Sequence, residues 1–403
     1  MKDKESIRMK TDLLSKDTGI KADGIHAMLP RKQMIPSAQK LRDAYAIVPG
    51  APIYRKEFGF YCLEKWQREE GLPKDFNAAE LFSYDPPGEY RFYDLGGCEA
   101  ALSPIFEVKI IEDRGETEVE QDFAGRHVLY FKGRRSGFMP EYLAHPVRDM
   151  KSWEEKVKWR MNPKSQERLE KVRSNLPKAE AAARQGMMIT EFMVGGYMYL
   201  RSLIGPEELL YAFYDQPELI HDCMNTWLQL SDAISAEHQQ KVSFDCVFLS
   251  EDICYNQGSL ISPDMMREFL FPYYQQLIAN IKRRQIDKDR HIYIQVDTDG
   301  WATPVIPLYR EAIGMDGMWP FEVASGCDVV EIGRQYPGLF MSGGIDKRIL
   351  AVGKDAIDRE LERIIPAMRA RGGYIPTCDH GVPEEVSLKN YLHYRKRCIE
   401  LGG

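Results

Sequence analysis

HIYIQVDTDG at residues 291–300, GMDGMWPFE at 314–322, GLFMSGGID at 338–346 and GGYIPTCDHGVP at 372–383 share one plan. Each is a short apolar run that closes on a polar or glycine-rich corner, and helical patterns separate them. Buried strands alternating with helices build parallel sheets. When such a sheet closes into a barrel, the C-terminal strand ends share one rim whose loops carry the chemistry. Asp297, Asp299, Glu322, Asp346, Cys378 and His380 all fall at these corners. They read as one site.

Working outward, FDCVFLSED at 244–252 is a further strand ending on Glu251 and Asp252, and MMITEF at 187–192 is another, carrying Glu191 and closing on Gly195 and Gly196. Ser262 and Pro263 read as the cap and first position of the helix that follows Asp252. Counting PIYRKEFGF at 52–60 and one run near residue 90, the candidates reach about eight, which predicts a TIM barrel rather than an open sheet. FEVKIIED, TEVEQDF and HVLYFKG, within residues 104–132, are rich in β-branched and aromatic residues and are broken at Gly115 and Gly125, so they predict a small inserted antiparallel meander. The expected organisation is an N-terminal arm over 1–45 and a single barrel over 46–403.

The chain has 403 residues, 44% of them hydrophobic and 29% charged, and a net charge of -7. That balance suits a globular protein and disfavours nucleic acid or an anionic membrane as the main partner. No apolar run approaches the roughly 18 residues of a membrane span, and the first residues lack the apolar core of a secretory signal. The eight cysteines form no CxxC pair, which points to a reducing cytoplasm.

Asp297 and Asp299 flank one residue at a strand end, so their carboxylates point to one side. They would repel unless a cation or a shared proton lies between them, which makes them candidate metal ligands or an acid/base pair; alternatively, one caps the next helix. Cys378 and His380 are residue types that zinc favours, although a lone cysteine is as readily a packing residue. Cys327 is a further candidate ligand, with burial at the start of its helix as the alternative. Glu251 and Asp252 could split into acid and base or form a structural ion pair. Glu191, Glu322 and Asp346 are candidate substrate contacts, as are Gly343 and Gly344, which allow close backbone approach. Tyr255, Trp301, Trp319 and Tyr374 could wall an apolar pocket or simply pack. HExxH, GxGxxG, P-loop and GxSxG motifs are absent.

SEDICYNQGSLISPDMMREFLFPYY, DTDGWATPVIPLYREAIGMDGMWPFE, GCDVVEIGRQYPGLFMSGGIDKRIL and GGYIPTCDHGVPEEVSLKNY together resemble the uroporphyrinogen decarboxylase superfamily. The resemblance implies a TIM barrel, a homodimer and one of two activities. The haem-pathway decarboxylase carries an arginine-bearing stretch for substrate carboxylates where this chain has APIYRKEFGFYCLEKW. The chain is therefore read as closer to the corrinoid-linked methyltransferases. In that branch zinc is held by a His-x-Cys pair and a later Cys, and here Asp297-x-Asp299 stands at the pair, with Cys378 at the later position. The implied activity is movement of a methyl group from a small aryl ether or amine to cobalamin on a separate corrinoid protein, with zinc held by Asp297, Asp299 and Cys378 or His380. A metal-free decarboxylase is the alternative, and a non-catalytic metabolite-binding barrel the third reading.

Overall fold

In the computed structural model, which describes residues 33–134 and 140–403, seven parallel strands form one sheet. They are β1 (Glu89–Leu95), then, after an insert holding β2–β5, β6 (Met188–Val194), β7 (Cys246–Ser250), β8 (Tyr293–Thr298), β9 (Gly317–Pro320), β10 (Phe340–Ser342) and β11 (Tyr374–Ile375). Each strand pairs with the next along the chain, the order that the wall of an α/β barrel requires. Helices cover the outside, so β6 and β7 are almost continuously apolar, as expected of strands buried on both faces.

The eighth position differs from expectation. Residues 52–60 form no strand; the segment runs irregularly between the two ends of the sheet, making one parallel bridge, Phe60 to Val382. The Arg55 N–H donates to Asp85, just before β1, while the Cys378 N–H, just past β11, donates to Glu57 Oε1 at 2.7 Å. Buried carboxylates thus hold backbone that strand pairing would otherwise satisfy.

The insert is a four-stranded antiparallel sheet of β2 (Lys109–Asp113), β3 (Thr117–Gln121), β4 (His127–Phe131) and β5 (Glu141–Ala144). Its fourth strand went unread in the sequence. Residues 1–32 of the expected arm lie outside the described residues. The arm's last part is helix α1 (Pro36–Tyr45), with Pro36 at its start. Ala38, Leu41 and Tyr45 of α1 pack against Met188, Cys246, Tyr293, Phe340 and Ile375, residues that point inward at the N-terminal ends of their strands. Tyr45 stacks on Phe340 with ring centroids 4.5 Å apart. Helix α1 therefore plugs one end of the barrel. No helix among the described residues is long and apolar enough to cross a membrane.

Candidate active site at the open rim

Because side chains alternate along a strand, Phe192, Val194, Phe248, Ser250, Asp297 and Trp319 face the lumen, while Glu191 and Glu251 face the helices. Asp297 lies half-buried near the open end, accepting from Ser250 Oγ at 3.3 Å. Burial, with Asp299 and Asp252 nearby, pushes its carboxyl well above the usual carboxylate range. Two neighbours sharing the same charge favour the neutral acid.

Asp299 stands 3.5 Å from His380 Nε2 and, chiefly through that hydrogen bond, raises the imidazole above its ordinary value. His380 stacks on Tyr61 and packs against the tilted ring of Phe58. Asp252 takes a left-handed backbone, φ 45°, at the end of β7 and pairs with Arg201 of α2 (Gly196–Ile204). Burial raises its carboxyl despite that guanidinium. The rim thus holds three aspartates with Arg201 and His380. Tyr61, Tyr93, Tyr255 and Trp301 are exposed.

Several residues read as site candidates have other partners. Glu191 contacts the His238 ring at 2.7 Å on the helical side. Glu251 accepts from Tyr274 and Tyr309, behind the sheet. Asp346 caps its helix by accepting from the Arg348 N–H, and Tyr374 donates to the Gly343 carbonyl. Glu322 accepts from the Gly300 N–H and pairs with Lys347, tying two rim loops together. Gly343 has φ 108°, and a Cβ there would lie 1.8 Å from the Pro320 carbonyl oxygen, so close strand packing demands glycine. Gly344, φ 71°, would meet Val329 in the same way.

The expected zinc set does not assemble. Cys378 is fully buried, and its thiol is pushed well up by burial and by Glu57. Cys327 Sγ points to the Gly300 carbonyl at 3.4 Å. Among the described residues no three His, Cys, Asp or Glu side chains converge to hold a metal ion. The physical reason is that both thiols turn into packed protein while the aspartates turn to the lumen.

Deeper in the lumen lie groups that the sequence reading missed. Arg91 of β1 pairs with Glu89 at 2.6 Å and lies over the Phe192 and Phe248 rings. Lys56 Nζ lies 4.4 Å from the centre of the Trp319 ring. A usable signal was present, since EYRFYDL places Glu89, Arg91 and Tyr93 on one face of a strand whose other face is packed.

Residues 135–400 match the family model described as uroporphyrinogen decarboxylase (URO-D). The chain belongs to the uroporphyrinogen decarboxylase family. Within this family the chain is 23% identical over 202 residues to a uroporphyrinogen decarboxylase from Aromatoleum aromaticum, covering 47% of this chain and 52% of that protein. It is 27% identical over 175 residues to one from Rhodococcus erythropolis, covering 41% and 45%. The chain thus spans about half the length of the curated relatives it matches. Among solved structures it resembles a methyltransferase from Methanosarcina mazei, with a TM-score of 0.55 at 14% identity, covering 90% of this chain and 98% of that one. That likeness concerns the fold, and it extends over nearly the whole barrel of this family member.

Proposed function

We propose that this family member is a methyltransferase that removes a methyl group from a small aryl ether or amine at the acidic rim. The observation that carries the reading is Asp297, half-buried at the mouth of the lumen beside Ser250, where burial and two further aspartates favour its protonated form. A reduced corrinoid on a separate protein supplies the nucleophile when docked. As the bond between the methyl carbon and the heteroatom breaks, its electron pair stays on the heteroatom and Asp297 gives that atom its proton. The leaving group then departs without building charge, the usual benefit of a positioned acid. Asp299 and His380 form a neighbouring pair through which Asp297 can regain a proton. The exposed rim aromatics, Tyr61, Tyr93, Tyr255 and Trp301, suit a large flat partner group. The two thiols face away from the aspartates, so no step here passes through zinc.

The family's other chemistry has one observation in its favour. Lys56 and Arg91 put positive charge in the lumen, and the proton on Asp297 could go instead to a carbon that has lost carbon dioxide. The test is to supply methoxylated aromatics and methylamines with reduced corrinoid and follow methylation by absorbance, measuring carbon dioxide in parallel. Methyl transfer that falls by about 10²- to 10⁴-fold in Asp297→Asn supports the proposal. Carbon dioxide release without methylation overturns it.

A further inference from the structure

The insert ends in an open edge. Its strand order is β2-β3-β4-β5, so β2 pairs with β3 on one side and, among the described residues, with nothing on the other. Every residue of β2 is exposed, within an unbroken exposed run over residues 107–116. An edge strand uses only its alternate backbone groups in antiparallel pairing, which leaves the outward N–H and C=O groups of β2 as a template for another strand. Apolar side chains accompany that backbone: Val108 is 53% exposed, Ile110 46% and Ile111 41%. A single exposed apolar residue needs no explanation, but a row of branched ones beside unpaired backbone marks an interface.

The charges on the strand say which partner fits. β2 reads KIIED, basic at its start and acidic at its end. A parallel pair in register would set lysine against lysine and acid against acid. An antiparallel pair turned about Ile111 sets Lys109 of each copy opposite Asp113 of the other, with the isoleucines in the middle, and opposite charges across two strands attract. Charge and bulges are the usual guards of an edge. Both are present here, as Lys109 and as the register break between Ile110 and Glu112. A copy of the same strand answers both, because its acids meet the lysines and its bulge falls at the same place. The partners that these side chains have within the chain are exposed, Glu107 for Lys109 at 2.8 Å and Lys132 for Asp113 at 2.6 Å. Such pairs hold little and are readily exchanged.

We infer that β2 joins two copies of this chain edge to edge about a two-fold axis at Ile111, so that the two inserts form one continuous sheet. The same strand serves both sides, as a two-fold interface requires. The inference is independent of the reaction at the rim.

The test is the mass of the protein in solution, by light scattering and sedimentation over a dilution series. The wild type should be a dimer with a Kd below about 10 μM. Lys109→Glu sets acid against acid at both ends of the paired strands, and Asp113→Lys sets lysine against lysine. Each should weaken the dimer by at least about tenfold. The double variant, Lys109→Glu with Asp113→Lys, reverses the charges but keeps the match, and should restore the dimer. A cross-link reads the register. Ile111→Cys lies opposite itself, at a spacing a disulfide spans, and should bridge the two chains on oxidation, while Glu116→Cys should not. Both are made with Cys98→Ser, because Cys98 is the exposed free thiol among the described residues. The altered side chains of β2 are all exposed, and circular dichroism melts check that the variants stay folded. A wild type that stays monomeric, a dimer unmoved by either reversal, a double variant no tighter than the single ones, or Ile111→Cys that does not cross-link overturns the inference.

Discussion

Glu251 and Asp252 are adjacent, yet they serve different faces of the same strand end. Glu251 turns to the helices, where Tyr274 and Tyr309 donate to it, and burial raises its carboxyl from 4.5 to about 7. The folded chain thus holds a proton that the unfolded chain releases at lower pH. The stability tied to that proton is full below the ordinary glutamate range and is lost as the pH rises towards 7. In Glu251→Gln this dependence disappears, so the wild-type melting temperature should fall relative to the variant between pH 4.5 and 7. Parallel curves for the two proteins would show that Glu251 does not titrate there. The sequence marked Glu251 as polar at a strand end but could not say which face it takes, because a one-residue change in register reverses every side chain. Asp297 was legible for the opposite reason, since its run is long enough to fix the alternation.

At the scale of elements, the barrel wall is tied to its helices by a buried ionic link. His238, on the helix Pro217–Gln239, lies between Glu191 of β6, at 2.7 Å, and Asp94 of β1, at 3.2 Å, with the Phe92 ring stacked on it at 3.7 Å. The two carboxylates raise the imidazole to about 9. Its stabilising contribution is present below the ordinary histidine range and is lost as the pH climbs through 9. His238→Ala leaves two buried carboxylates without their cation and should cost about 3–5 kcal/mol in chemical denaturation. A loss under 1 kcal/mol, within the range of an exposed pair, would mean the link is incidental. Sequence reading placed both strands, but the link joins residues far apart in the chain, and no local pattern announces it. The segment 52–60 misled for a related reason. Its alternation resembles a strand, whereas its backbone is held by Asp85 and Glu57 rather than by a neighbouring strand.

For the whole molecule, the alternation of apolar runs and helices was enough to predict the barrel and the insert. It was silent on the role of α1, which depends on a hole formed by the rest of the chain. Tyr45 touches both Tyr293 and Phe340 from below, so Tyr45→Ala should open a cavity and cost about 3–5 kcal/mol, as large aromatic truncations do. An unchanged denaturation midpoint would show that the end of the barrel closes without the plug. In the terminal helix, within the basic run Arg395-Lys396-Arg397, Arg395 is buried and its Nε donates to the Phe82 carbonyl.

A lumen stoppered by α1 is a cul-de-sac, and that fixes an order of events. Substrate and product share one doorway, and a macromolecule seated on the rim would shut it. On the proposed methyl transfer, the small molecule enters first and the partner second, and the partner leaves before the demethylated product escapes. Steady-state data should therefore follow an ordered sequential scheme, with excess partner trapping product and slowing turnover.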